Sequence, residues 1–302
     1  MNNSWFVIVN PNAGNGNFKK LWSQIQHELA HHNIVYEFEF TTHHKHEIEL
    51  VHKAISKGYS QIISCGGDGT LHHVVNGVMN QELINSNLIT LGVIPLGTGN
   101  DWIKTYGISK NIHEAVQLIK NQNTIYQDIG HLQLENTSSY FNNVAGIGYD
   151  GYVVNKLNNL KKFGPIAYLI SGISGLLFYK RMPFKVVINN STIEDYCLMT
   201  LFGICKYSGG GMQLTDYKSS NDGFFDITFA KNLTFKDLVF NIKKLYNGKI
   251  VTHNKVETYL TDKISVIPTT KDTAFIQADG ELIGTGSIAV SIVKNAIQFV
   301  IP

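Results

Sequence analysis

Hydrophobic positions along this chain follow two different rhythms. Up to about residue 127, short apolar runs alternate with stretches in which apolar residues recur every three or four positions. The runs 5–10, 35–42, 61–65 and 88–95 read as strands, and 19–31, 45–57, 70–79 and 112–120 as helices. This βαβα order predicts a doubly wound parallel sheet with helices on both faces. Beyond residue 127 the pattern changes to short strands bounded by turn residues. They fall at 128–135, 140–145, 184–189, 198–205, 223–230, 255–261, 264–267, 275–279, 289–293 and 296–301. Helical stretches at 150–160, 166–179 and 235–245 interrupt them. The expected organisation is therefore α/β plus all-β, with an α/β domain over 1–127 and an antiparallel β domain with inserted helices over 128–302.

In parallel sheets ligands sit at the carboxyl ends of the strands. Four motifs directly follow strands of the first half: Asn10-Pro11-Asn12-Ala13-Gly14, Thr41-Thr42, Gly66-Gly67-Asp68-Gly69-Thr70, and Pro95 through Gly97, Thr98 and Gly99 to Asn100-Asp101. They are expected to converge on one edge. The third is the most telling. A strand that breaks into glycines and then starts a helix lets backbone N–H groups approach an anion, and the helix start adds partial positive charge. Asp68 would repel a bare phosphate, so it fits best if a Mg²⁺ ion or an ordered water lies between them. Gly-Lys-Ser/Thr is absent, so this is not a Walker loop. The chemistry indicated is phosphoryl transfer.

Composition narrows the class. At 302 residues, 43% hydrophobic and 16% charged, the chain is globular, and a net charge of +2 gives no field for nucleic acid. Three cysteines, odd in number, read as reduced thiols in a cytoplasm, with Cys65 in a strand core. The opening residues lack the pattern of a signal peptide. The longest apolar run, 166–179, is interrupted by Ser and Gly and is too short to span a bilayer.

The second half adds acidic turns at Gly146–Asp150, Asn221–Asp226 and Gln277–Glu281. Taken singly, each could be an ordinary Asp-Gly turn. Together with Asp68 and Asp101 they supply what phosphoryl transfer requires: carboxylates to hold Mg²⁺ and to orient the attacking hydroxyl. Most of the histidine groups His31-His32, His43–His46 and His72-His73 read as lying on surface faces, and adjacent histidines point different ways, which speaks against a metal site.

In order and spacing, Asn10–Gly14, Gly66–Thr70, Pro95–Asp101, Asp222–Asp226 and Asp279–Glu281 resemble the diacylglycerol kinase catalytic-domain family. That family includes bacterial soluble lipid kinases, sphingosine kinases and ceramide kinases. NAD kinases share the glycine loop, but the Gly-Thr-Gly-Asn-Asp segment and the Asp-Gly-Glu turn favour the lipid kinases. The resemblance implies an ATP-binding first domain and a β-sandwich second domain, with catalysis in the cleft between them. It implies that Asn10, Pro11, Asn12, Ala13 and Gly14 contact nucleotide phosphate and that Thr41 contacts the nucleotide. Gly66, Gly67, Gly69 and Thr70 would cradle phosphates, with Asp68 organising Mg²⁺ through water. Thr98 would lie on the nucleotide side, and Asn100 and Asp101 would hold their loop. Asp279 and Glu281 occupy the general-base turn, Asp279 being the first choice and Glu281 supporting it or exchanging roles. A structural Mg²⁺ would be held at Ser219, Asp222 and the backbone of Phe224.

Where many relatives carry Arg after the Asn-Asp pair, this chain has Lys104, which keeps the charge without the two-pronged geometry. The segment 163–184, flanked by Lys161, Lys162, Lys180 and Arg181, reads either as an interfacial segment or as a buried helix. The expected activity is an ATP- and Mg²⁺-dependent lipid kinase, with diacylglycerol as first substrate, in a cytoplasmic protein that visits the bilayer surface. An NAD kinase and a catalytically silent nucleotide or lipid sensor are the alternatives. A homodimer through an exposed edge strand stays open.

Overall fold

A computed structural model of the chain describes residues 4–14, 16–157, 172 and 175–302. It divides into two compact units, Met1–Asp128 with Lys294–Pro302, and Ile129–Val293.

The first unit is built on the parallel strands β1 (Trp5–Val9), β2 (Tyr36–Phe40), β3 (Gln61–Gly66) and β4 (Thr90–Pro95), in the order β2-β1-β3-β4. Both faces of β1 are buried, and each meets a different pair of helices. Trp5, Val7 and Val9 pack with Trp22, Ile25 and Leu29 of α1 (Phe18–His31) and with Ile112, Val116 and Ile119 of α5 (Ile112–Asn121). The opposite face is covered by α2 (His46–Ser56) and α3 (Asp68–Asn80). These two helices approach so closely that a Cβ on Gly77 would lie 2.8 Å from Cβ of Val51. A short helix that the hydrophobic pattern did not announce, α4 (Asp101–Tyr106), follows the loop after β4. Its Trp102 is buried against Phe299 and donates its indole N–H to Gln127 at 2.9 Å.

The second unit contains two antiparallel layers. One has the order β12-β11-β10-β7-β14-β15, formed by β7 (Val144–Gly148), β10 (Met199–Gly203), β11 (Phe225–Ala230), β12 (Val256–Thr261), β14 (Phe275–Ala278) and β15 (Glu281–Thr285). In the other, β8 (Met182–Ile188) pairs with β9 (Ser191–Cys197) and with β13 (Lys263–Pro268). The ring of Phe141, at the end of β6 (Ser138–Phe141), which pairs with β5 (Thr124–Gln133), stacks 5.8 Å from that of Phe225 on the first layer. Helix α6 (Tyr149–Leu157) packs on β14.

Three differences from the sequence reading have physical causes. The run 140–145 is not one strand: it breaks at Asn142-Asn143, whose backbone N–H groups turn toward Asp279 instead of a ladder. The runs 289–293 and 296–301 are one strand, β16 (Ile288–Val300), bent at Asn295, which adopts a left-handed φ of 48° and donates its N–H to Asp128 at 2.7 Å. The early part of β16 pairs with β13, and Gln298 and Phe299 pair in parallel with Thr90 and Leu91 of β4. Residues 294–302, which the sequence reading assigned to the second domain, thus group with the first unit. The stretch 235–245 forms two short helices, Phe235–Phe240 and Ile242–Tyr246, that meet at Asn241. Most of the helix expected over 166–179 lies outside the described residues.

Candidate active site

In the first unit the four sequence motifs all sit at the carboxyl ends of β1 to β4, and hydrogen bonds tie the first, third and fourth to one another. Asn10 takes part in three links. Its N–H donates to the Cys65 carbonyl at 3.0 Å, its Nδ2 to Thr70 Oγ1 at 3.0 Å, and its Oδ1 accepts the Asn12 N–H at 2.9 Å. Pro11, Asn12 and Ala13 form a tight turn closed by the Ala13 N–H on the Asn10 carbonyl, and Gly14 follows with φ of 87°. Thr41 is buried, with its N–H on the Val9 carbonyl.

The glycine loop and the loop after β4 lie against each other. A Cβ on Gly97 would lie 2.7 Å from Gly67 Cα and 2.8 Å from Asn100 Oδ1, and one on Gly99 would lie 3.1 Å from Asp68 Oδ2. Asn100 sits in the left-handed region with φ of 50° and returns its amide to the Gly97 carbonyl at 2.6 Å. Gly69 and Thr70 are in the first turn of α3, Thr70 being buried. The carbonyl of Thr98 accepts a hydrogen bond from Lys110 Nζ at 3.0 Å.

Asp68 has a role that sequence did not disclose. Its two carboxylate oxygens accept the N–H groups of Asp101, at 3.2 Å, and Trp102, at 3.4 Å. It therefore satisfies the opening donors of α4 and fastens the glycine loop to the loop after β4. Asp101 in turn pairs with Lys104, Nζ to Oδ1 at 2.7 Å, so that lysine is engaged within its own helix. Together these loops offer backbone N–H groups and no Cβ where Gly66, Gly67 and Gly97 stand, a surface suited to the oxygens of a polyphosphate.

In the second unit Asp279 is held tightly. Its Oδ1 accepts from Asn143 N at 3.0 Å and Val144 N at 3.3 Å, and its Oδ2 from Asn142 N at 3.1 Å. Its own N–H bonds the Val144 carbonyl. With φ of 50°, followed by Gly280 at 81°, it makes the turn from β14 to β15, on which Glu281 is the first, half-buried residue. Gln277 braces the turn from inside, accepting the Gly280 N–H at 2.9 Å and donating to the Asp150 carboxylate. Burial pushes the Asp150 carboxyl up to about 6.

The proposed metal-binding turn lies elsewhere in the same unit. Ser219 Oγ donates to Asn221 Oδ1 at 2.7 Å, and Asp222 Oδ1 accepts the Phe224 N–H at 3.0 Å. Asp226 is the second residue of the adjoining β11. Its burial, with repulsion from Asp222 and Asp216, raises its carboxyl to about 7. A hydroxyl, carboxylates and a carbonyl are an all-oxygen donor set, which suits a hard cation such as Mg²⁺.

Comparison with known proteins agrees with this arrangement. Residues 4–132 match the diacylglycerol kinase catalytic domain, and residues 143–301 match the YegS C-terminal NAD kinase beta sandwich-like domain. A protein named diacylglycerol kinase from Staphylococcus haemolyticus is 29% identical over 254 residues, covering 83% of this chain and 74% of its own length. One of the same name from Mycobacterium tuberculosis is 26% identical over 302 residues, covering 98% and 94%. In fold, the chain matches a crystal structure titled a diacylglycerol kinase from Bacillus anthracis with a TM-score of 0.76 at 22% identity, covering 99% of this chain and 97% of that one. Glycine cradle, strapped loops, acidic turns and β-sandwich all fall in matched segments, and the chain belongs to the diacylglycerol kinase catalytic-domain family of lipid kinases.

Proposed function

We propose that this kinase transfers the γ-phosphoryl group of Mg-ATP to the free hydroxyl of a membrane lipid, diacylglycerol first. The observation that carries the reading is the cradle of Gly66, Gly67 and Gly97, where Asp68 joins two loops and a Cβ on Gly66 or Gly97 would collide. Asn10, the Pro11–Gly14 turn and Thr70 stand beside it to receive phosphate oxygens, with Thr41 and Thr98 on the nucleotide side. Mg²⁺ would neutralise charge on the transferring phosphate. Asp68 would reach the ion through water, and a second, structural ion would be held by Ser219, Asp222 and the Phe224 carbonyl.

A lipid hydroxyl is too weak an acid to be deprotonated before attack, so the base chiefly orients it and accepts its proton late. Of the two carboxylates in the turn, Asp279 already accepts three backbone N–H groups. That favours Asp279 as the anchor of the turn and Glu281 as the group that meets the hydroxyl. Access to lipid is supported by Leu177, Phe178 and Phe240, which are 62%, 80% and 84% exposed, with Lys180 and Arg181 next to the first two. Docking on a bilayer from the cytoplasm is the proposed mode; among the described residues no helix is long and apolar enough to cross a membrane.

The test is transfer of radiolabelled γ-phosphate from Mg-ATP to lipids in mixed micelles, with NAD and no-acceptor controls. Labelled phosphatidic acid that is lost in Glu281→Gln is expected. Label on NAD alone would move the activity to NAD phosphorylation, and no label on any acceptor would leave a nucleotide- or lipid-binding sensor.

A further inference from the structure

Far from these loops, a small group of side chains holds a buried nitrogen with nothing to bond. Helix α1 leads away from the Asn10–Gly14 turn for 14 residues, about 20 Å by helical rise. Near its end stand Glu28 and, one turn on, the C-cap residue His32, on the same side of the helix. Helix α5 packs on α1 and brings His113 from its own first turn. His113 Nδ1 lies 2.8 Å from Glu28 Oε2, and His32 Nε2 lies 3.9 Å from the same oxygen. All three ligand atoms fall within 4.8 Å of one another. His32 Nε2 is shut off from solvent yet has no hydrogen-bond partner. Buried polar atoms are nearly always satisfied, and this one faces a carboxylate and a second imidazole.

We propose that Glu28, His32 and His113 form a binding site for a divalent transition-metal ion of the Zn²⁺ class. Two imidazole nitrogens and one carboxylate oxygen are an established zinc donor set. With bonds of about 2.0–2.1 Å, tetrahedral donors stand about 3.3 Å apart. The two distances to the carboxylate, 2.8 and 3.9 Å, straddle that value, so each imidazole nitrogen stands about half an ångström from its place relative to Glu28. The His113 side chain is 51% exposed, which leaves room for water as the fourth ligand. Glu28 Oε1, the other oxygen, lies 3.6 Å from His27 Nδ1, an outer partner that steers the carboxylate. The C-terminal end of α1 adds partial negative charge that favours a cation. Imidazole donors select against Mg²⁺, so the site is chemically distinct from any that serves phosphoryl transfer. An ion pair between Glu28 and protonated His113 would use the same 2.8 Å contact, but it would leave His32 Nε2 unsatisfied. The metal accounts for all three groups and would clip α1 to α5.

The experiment is titration of the untagged, metal-stripped full chain with Co²⁺ in millimolar Mg²⁺, followed by visible absorption and then by Zn²⁺ displacement. The expected result is one equivalent of Co²⁺ with the d–d bands of a low-coordinate site, displaced by one equivalent of Zn²⁺. His113→Gln and His32→Gln should each weaken binding by about tenfold or more, while His43→Gln, on a separate histidine pair, leaves it unchanged. His113 is half exposed, so its replacement keeps the fold. Equal Co²⁺ affinity and spectrum in wild type and His113→Gln, or no saturable binding in wild type, would overturn the proposal.

Discussion

Replacing Asp279 by Asn separates an anchor from a base. The substitution keeps the shape, and Asn tolerates the left-handed backbone at φ of 50° at least as well as Asp, so no strain is introduced. It does remove the charge and one acceptor. Of the three N–H···O bonds, at 3.0, 3.1 and 3.3 Å, one is replaced by a donor facing a donor, and two fall from charge-assisted to neutral. For a half-buried group the lost bond costs about 1.5 kcal/mol and each weakened one about 0.5, so the total is about 2.5 kcal/mol. For a unit of this size that lowers the melting temperature by roughly 5–10 °C. Glu281→Gln should lower the phosphoryl-transfer rate by about 10²–10⁴. Paired calorimetry and kinase assays on the two variants decide the matter. An Asp279→Asn protein that melts with wild type yet is inactive would refute the anchoring role and return the base to Asp279.

The other predictions concern the cradle, acid stability and thiols. Gly97→Ala drives a Cβ to 2.7 Å from Gly67 Cα and should weaken Mg-ATP binding by about tenfold or more, for an overpacking cost of about 1–3 kcal/mol; wild-type affinity by calorimetry would contradict the cradle. His73 is buried, and its burial, with the neighbouring His72, His44 and Lys45, lowers its pKa from 6.5 to about 3. The unfolded chain therefore binds the extra proton, and stability is lost as pH falls below 6.5, by about 1.4 kcal/mol per unit. His73→Gln should remove that slope from urea titrations at a series of pH values, and equal slopes would count against it. Burial pushes the Cys65 thiol up, and that of Cys197 up to about 12, and all three thiols are enclosed. A disulfide reagent should label none of them before unfolding, and rapid native labelling would show that the strands open.

What could be read from sequence follows from where the information lies. Strands β1 and β4 read as apolar runs because both faces are covered, and the glycine loops stand out because a Cβ at Gly66 or Gly97 would collide with its neighbours. Asp68 and Asp279 stand out in the sequence as carboxylates in glycine turns, but their role as fasteners does not. Their partners are backbone N–H groups of Asp101, Trp102 and Asn142–Val144, which carry no side-chain signature. The edge strands β9 and β15 were missed for a similar reason. Ser191–Cys197 is largely exposed, and Glu281–Thr285 contains Gly284, so neither shows a strong apolar alternation. The grouping of His32 with His113 depends on α5 packing against α1, a contact between distant parts of the chain that adjacent-histidine reasoning does not reach.

The return of β16 to the first unit has a consequence for biosynthesis. A ribosome delivers β1 to β4 early, but Gln298 and Phe299, which pair with Thr90 and Leu91, only after the whole β-rich unit has been made. Until then β4 presents an open edge of unpaired N–H and C=O groups, the kind of template that invites pairing with another nascent chain. The first unit thus completes its sheet last although it is translated first. A fragment cut after residue 132 would carry that open edge permanently, and should express as aggregate unless 294–302 is supplied as a separate strand.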